Sequence, residues 1–258
     1  MAPPTLPRSV HAHHPPTTLR LEPLTPSSFS RFGMAICSPL PPSLAEVPAV
    51  VPRPLHAPHQ PTPGFANQNS ALKTSPISPF INAYPSGTGH VLAKPQMSLF
   101  SCFPRNKSGV GIDRSISNTA VFQVSILERH PYTSQTFSPL GLSASDESTV
   151  FLVIVAPSLA SSATAKLASG ESIEIPHPPD LSRLKAFVAR GDQAVTYGPG
   201  TWHAPMVVIG RRRVDFVVTQ FANGVPEDDC QEVLLGDNAV GVDLEVLGLN
   251  LNVVGSKL

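Results

Sequence analysis

Apolar and polar residues alternate with a period of two through most of the second half of the chain, which predicts strands. In Val121–His130, the residues Phe122, Val124, Ile126, Glu128 and His130 fall on one face, so an apolar strand face ends in a carboxylate and an imidazole. Runs rich in β-branched and aromatic residues predict further strands at Leu99–Phe103, Val150–Val155, Gln193–Tyr197, Thr201–Ile209 and Val214–Phe221. Within Thr201–Ile209, alternation puts His203, Pro205, Val207 and Ile209 on one face. The turn before that strand is Gly198-Pro199-Gly200, where proline fixes φ and glycine accepts left-handed geometry. Two segments read as helical. Thr25-Pro26, followed by Phe29, Phe32 and Gly33, has a capping threonine, a first-turn proline and a glycine stop. Leu181, Leu184, Phe187 and Val188 stand at helical spacing within Asp180–Arg190, ahead of Gly191. The run at 244–254 alternates like a strand. Many strands with few short helices predict an all-β fold, a closed barrel or a sandwich.

Proline is unevenly spread and changes this picture at the N-terminus. Sixteen of the 30 prolines lie in residues 1–63, which excludes regular sheet or long helix from much of that portion. A disordered tail at 1–18 is expected, with one domain over 19–258 interrupted by a proline-rich insertion at 37–64, and with the folded body starting near Phe65 and at least one N-terminal helix brought along. Removal of residues 1–17 should then leave melting temperature and activity nearly unchanged. His11, His13 and His14 belong to this tail.

The 18 basic and 18 acidic side chains balance, so no net charge draws the chain to nucleic acid or to an anionic membrane. Arg211–Arg213 lies between two strand patterns and reads as a solvated hairpin tip. Cys37, Cys102 and Cys230 are odd in number and form no CxxC pair, which points to a reduced, cytoplasmic protein. The longest apolar run, Val150–Ala156, is too short to span a bilayer. Gly109-Val110-Gly111 lacks the strand and helix of a nucleotide-binding loop, and no organic cofactor is expected.

The candidate chemistry gathers in two motifs. Glu128-Arg129-His130, with Gln135 five residues on, and the Gly198–His203 turn and strand resemble the two motifs of cupin barrels. Glu128, His130, Gln135 and His203 offer a carboxylate, two imidazoles and an amide oxygen, a set that suits a divalent transition metal such as nickel, manganese or zinc. Arg129 and Trp202 alternate away from that face. Cys230 reads as structural, and Asp215 and Asp229 as exposed or hydrogen-bonded strand-end residues.

Four longer segments, at 122–141, 150–157, 179–210 and 214–233, are similar to the ureidoglycolate lyase family, cupin-like enzymes of the fungal type in allantoin and purine catabolism. Shorter matches lie at 19–33, 66–73, 81–84 and 101–105. Asn69 and Ser101 depart from the glycine and arginine usual in the family. The resemblance implies a cupin-like (RmlC-like) β-barrel and a homodimer that cleaves (S)-ureidoglycolate to glyoxylate and urea. It implies Glu128, His130 and His203 as catalytic groups, and Gln135, Arg105, Asn67 and Tyr84 as substrate contacts. Arg105 suits a substrate carboxylate because guanidinium meets that group bidentately. Two other readings stand beside this one: another metal-dependent cupin enzyme, an isomerase or dioxygenase, and a non-catalytic cupin that binds a small molecule.

Overall fold

The computed structural model describes residues 2–7, 18–105, 112–113, 120–236 and 239–248. Its strands, in chain order, begin with β1 (Thr18–Leu19), β2 (Leu21–Pro23), β3 (Gly33–Ile36), β4 (Gly64–Ala66), β5 (Ala71–Lys73), β6 (Lys94–Cys102) and β7 (Ile112–Asp113). The middle of the chain forms β8 (Val121–Val124), β9 (Ile126–Arg129), β10 (Gln135–Leu140), β11 (Thr149–Ala156), β12 (Ser162–Lys166) and β13 (Ser172–Pro176). Then come β14 (Lys185–Ala189), β15 (Ala194–Tyr197), β16 (Trp202–His203), β17 (Val207–Gly210) and β18 (Val214–Ala222). A four-residue helix, α1 (Pro226–Asp229), precedes β19 (Gln231–Leu234) and β20 (Val240–Asp243).

Two sheets build the body of this cupin-like barrel. One runs β3-β15-β10-β18-β6, and the other β19-β9-β16-β11-β14-β2, with β17 also paired to β11. Strand β11 explains the layering, because every residue of it is buried. Phe151, Val153 and Val155 join Phe137, Tyr197 and Phe216 of the five-stranded sheet in one core. Val150, Leu152, Ile154 and Ala156 pack on the opposite side with Phe122, Leu127 and Trp202. An apolar run without alternation is what a central strand covered on both faces requires.

The same two-sided burial corrects the helix expected at Asp180–Arg190. Only Leu181–Arg183 turns, as a short 3-10 segment capped by the Asp180 carboxylate. Strand β14 follows, with Ala186 in one core and Phe187 and Ala189 in the other. Apolar residues on both faces of a strand mimic helical spacing, and five paired positions along β11 decide for the sheet. Thr25–Gly33 likewise forms successive turns rather than a helix. Thr25 Oγ1 accepts from the Ser28 backbone N–H at 3.1 Å, and Phe29 and Phe32 pack on the Phe187 ring. At Gly33 a Cβ would lie 1.9 Å from the Thr196 carbonyl oxygen, so only glycine lets β3 reach β15.

The folded body therefore begins well before Phe65, and Leu24, Phe29, Phe32 and Ala35 belong to its core. Residues 37–63 carry no strand, as their prolines dictate. The tail also departs from expectation within residues 2–7. Thr5 exchanges backbone bonds with Lys166, and Leu6 N–H donates to the Leu234 carbonyl at 2.9 Å. Leu6 is 3% exposed in the core. A single buried leucine between Thr5 and Pro7 suffices to lay this segment along the backbone at Lys166 and Leu234. The histidine tract at residues 11–14 and the Gly109–Gly111 loop lie outside the described residues. The strand expected at 244–254 starts instead as a 3-10 turn, Glu245–Leu247, and 249–254 lies outside the described residues.

Because Leu6 is buried against the core, Leu6→Ala should lower unfolding free energy by about 2–4 kcal/mol in a urea titration, the usual cost of truncating a core leucine. An unchanged midpoint would mean that the N-terminal segment contributes nothing.

Candidate active site

The expected single strand at Val121–His130 breaks at Ser125, whose carbonyl accepts from the Leu235 N–H. The break inserts one residue and reverses the alternation. Phe122, Val124 and Leu127 then face one core, while Glu128 and His130 turn to the space between the two main sheets. A second break, at Ala204–Met206, separates β16 from β17. Trp202, Val207 and Ile209 share the first core, so His203 lies on the opposite face from Val207 and Ile209, contrary to simple alternation. The two breaks act together: they leave apolar residues in the core and send the polar ones inward to the barrel.

Strand pairing then brings the groups together. Residue His203 on β16 is registered directly opposite Glu128 on β9, and His203 Nε2 lies 3.4 Å from Glu128 Oε1. The Gly198–Gly200 turn carries the chain from the five-stranded sheet to the other. Gly200, at φ +74°, donates its N–H to the His130 carbonyl at 2.8 Å, which seats the turn against the second imidazole. The rings of His130 and His203 are 5.5 Å apart. Tyr197, just before the turn, stacks on His203 at 3.9 Å and an 11° interplanar angle. Among the described residues, Glu128, His130 and His203 each present a ligand atom within 4.8 Å of the other two.

Both imidazoles are oriented from behind. His130 Nδ1 lies 2.6 Å from the Asp229 carbonyl, and His203 Nδ1 lies 3.0 Å from the Thr201 carbonyl. A carbonyl only accepts, so each Nδ1 carries the proton and each Nε2 is left to face the site. Among the described residues, neither Nε2 atom nor Gln135 Oε1 finds a hydrogen-bond partner, and all three are buried. The Gln135 amide is fixed by donating to Gln220 Oε1 at 2.6 Å. Three buried acceptor atoms beside a carboxylate call for a donor or a cation among them: a proton, a bound water, a substrate N–H or O–H, or a metal ion. Burial pushes the pKa of His130 down to about 4, with His203 adding to the effect. Burial opposes the charge on Glu128, yet the contact with His203, and the nearby His130 and Arg105, hold its carboxyl below the usual range.

Arg105 is anchored by its backbone N–H, which donates to the Val208 carbonyl at 2.9 Å, and its charge reaches Glu128. Tyr84 is buried, but its hydroxyl is 2.7 Å from Asp229 Oδ1 and 3.2 Å from the Phe221 carbonyl. Asn67 sits exposed at the tip of the β4–β5 hairpin, a two-stranded unit apart from the main sheets. Asn67, Gln68 and Asn69 there all have φ between 50° and 64°. Asn69 thus holds a left-handed position that glycine would fill, and asparagine is among the side chains that tolerate it best.

Arg129 and Trp202 do point away from the site. The guanidinium lies over the indole at 4.6 Å and donates to Gln231 and to the carbonyls of Pro176 and His177. Cys230 has a thiol that burial pushes up to about 12, which makes it inert. Sequence reasoning missed Gln220, Tyr197 and the role of Asp229. A signal for Gln220 existed: Val214, Phe216, Val218 and Gln220 alternate along β18, so that face too ends in a polar side chain.

A family model described as ureidoglycolate lyase matches residues 16–242. The ureidoglycolate lyase of Saccharomyces cerevisiae is 35% identical over 179 residues, covering 68% of this chain and 80% of that protein. The ureidoglycolate lyase of Schizosaccharomyces pombe is 35% identical over 166 residues, 64% of this chain and 74% of the relative. That of Burkholderia mallei is 34% identical over 109 residues, 42% and 49% respectively.

The depressed pKa of His130 ties the stability of the fold to pH. Below its unfolded value of about 6.5 the unfolded chain takes up a proton that the native imidazole refuses, so stability falls with falling pH until about 4. Glu128 adds its own loss only below about pH 4.5. Metal-free protein should therefore lose roughly 2 kcal/mol between pH 6.5 and 4.5 relative to His130→Gln, read from urea unfolding. Parallel pH profiles for the two proteins would show that the ring is not held neutral.

Proposed function

Because the chain belongs to the ureidoglycolate lyase family, we propose that it converts (S)-ureidoglycolate to glyoxylate and urea, with Glu128, His130 and His203 as catalytic groups. The observation that carries this is the pair of buried imidazoles whose Nε2 atoms, without hydrogen-bond partners, converge on one carboxylate. The substrate carries a hydroxyl, a carboxylate and a ureido nitrogen on one carbon. As the carbon–nitrogen bond breaks, its electron pair leaves with nitrogen, and the O–H pair becomes the second bond of the new carbonyl. The hydroxyl proton ends on the urea nitrogen. No electron and no net proton is exchanged with an outside partner, so a group that accepts a proton and hands it back suffices.

The Glu128–His203 pair is built for that exchange. Their facing atoms, 3.4 Å apart, have room for one shared proton, and the stacked Tyr197 keeps the His203 ring in plane. His130 stays neutral near pH 7 and supplies a second acceptor. Arg105 offers the positive charge for the substrate carboxylate, and Gln135 orients polar substrate atoms from the facing sheet.

The same donor set fits a divalent ion. Glu128, His130, Gln135 and His203 would hold it, and the orphaned Nε2 and Oε1 atoms are the ones a metal requires. A bound ion such as nickel would supply positive charge that acidifies the substrate hydroxyl and gathers its oxygens. Asn67 receives no role from its exposed hairpin position.

A homodimer has a candidate contact in β6, which among the described residues pairs only β18 and exposes Met97 and Leu99. No helix among the described residues is long and apolar enough to cross a membrane. The three free cysteines accord with a cytoplasmic setting.

Incubation with racemic ureidoglycolate should release glyoxylate and urea, with His203→Ala slower by roughly 10²-fold or more and still folded. Stoichiometric ammonia in place of urea would replace the lyase by an amidohydrolase, and wild-type turnover in His203→Ala would remove this site. Exhaustive chelation should lower activity and nickel should restore it. Full activity without metal would leave the same residues as acid–base groups alone.

A further inference from the structure

His130 owes its orientation to residues 223–229, a turn and the short helix α1 without strand pairing, in which the Asp229 carboxylate joins the α1 backbone bonds and the Asn223 side-chain bonds to Asp228 and Val225. Residues 223–229 curl around the Asp229 side chain. Its Oδ1 accepts from the Asn223 N–H at 2.8 Å, and its Oδ2 from the Gly224 N–H at 2.7 Å. A third bond comes from outside the loop, from the Tyr84 hydroxyl to Oδ1 at 2.7 Å. A phenol has one proton. The short bond to a charged acceptor therefore takes it, and the Phe221 carbonyl at 3.2 Å is a bystander. Burial, and then this bond to Asp229, push the Tyr84 phenol well above its ordinary range, so it remains a donor.

Tyr84 is itself pinned to the segment that carries His130. The Ala83 N–H donates to the Tyr132 carbonyl at 2.7 Å, Asn82 bridges to Thr133, and the rings of Tyr84 and Tyr132 lie 5.5 Å apart. Thr133 Oγ1 in turn accepts from the Phe221 N–H at 2.9 Å. Three chain segments, 82–84, 130–133 and 221–229, thus close on one another. The Asp229 carbonyl oxygen sits where they meet, 2.6 Å from His130 Nδ1.

We propose that Tyr84 and Asp229 are positioning residues: their hydroxyl–carboxylate bond fixes the Asp229 carbonyl that keeps the His130 proton on Nδ1 and the Nε2 lone pair aimed at Glu128. Both act through His130, and Tyr84 makes no substrate contact. The inference rests on the reading of His130 as a site residue. It adds that the ring's tautomer is set by a side chain far away in sequence. Partners behind a ligating or catalytic imidazole commonly change affinity or rate by 10–100-fold when lost.

The test uses the full-length protein and two mild variants, Tyr84→Phe, which keeps the ring, and Asp229→Asn, which keeps the backbone carbonyl. Nitrogen-15 NMR of the metal-free protein should show His130 as the Nδ1–H tautomer in wild type and a mixture of tautomers in both variants. In each variant kcat for ureidoglycolate should fall roughly 10-fold or more with KM within about twofold. Cobalt(II) titration, followed by its absorption bands, should show affinity weakened by a similar factor. A single, unchanged tautomer in both folded variants would overturn the proposal. So would a rise in KM at constant kcat in Tyr84→Phe, which would make Tyr84 a substrate contact. A wild type that shows the expected tautomer but does not cleave ureidoglycolate would leave this positioning intact and defeat the substrate assignment alone.

Discussion

The antiparallel pairing of Glu128 with His203 across β9 and β16 is the contact from which the site follows. The register puts a carboxylate and an imidazole side by side at 3.4 Å in a place where water has little access. Such a juxtaposition is costly unless a proton or a cation is shared. Everything around it limits the alternatives. The carbonyls of Thr201 and Asp229 accept from the Nδ1–H groups of His203 and His130, Tyr197 covers one ring face, and Gln220 ties the Gln135 amide. The barrel thereby holds a set of acceptors that its own groups do not satisfy, which is the signature of a site made to bind something.

The position of that site follows from the core. Strand β11 is buried on both faces and fixes the two main layers. Strands β9 and β16 lie in its sheet, and β10, β15 and β18 lie in the other. The acid–base groups come from the first set, and Gln135, Tyr197 and Gln220 from the second. Closure of the two sheets is therefore what assembles the site, and a displacement of either sheet separates the amide from the imidazoles.

Much of this was legible in the sequence, and the exceptions share a cause. Alternation placed Glu128 with His130 and set Arg129 and Trp202 on the other side, because polarity at the end of an apolar face is a local signal. It erred in joining those polar residues to Phe122 or Val207, since the break at Ser125 shifts the pleat with no glycine, proline or charge to announce it, and Pro205, which marks the second break, was read as part of the strand. The supposed helix at 180–190 failed because two-sided burial imitates a helical stripe. Leu6 and Asp229 were missed for a third reason. Their partners, Leu234 for the one and Tyr84 and His130 for the other, are close only in the fold.

Both imidazoles present Nε2 to one point beside Glu128. X-ray absorption at the nickel edge of nickel-loaded protein tests it most directly, because imidazole rings give an outer-shell scattering pattern that oxygen ligands lack. Two imidazole ligands are expected in the wild type and one in His203→Ala, the rest of the shell being oxygen. A wild-type shell of oxygen alone, or one unaltered by His203→Ala, would contradict it.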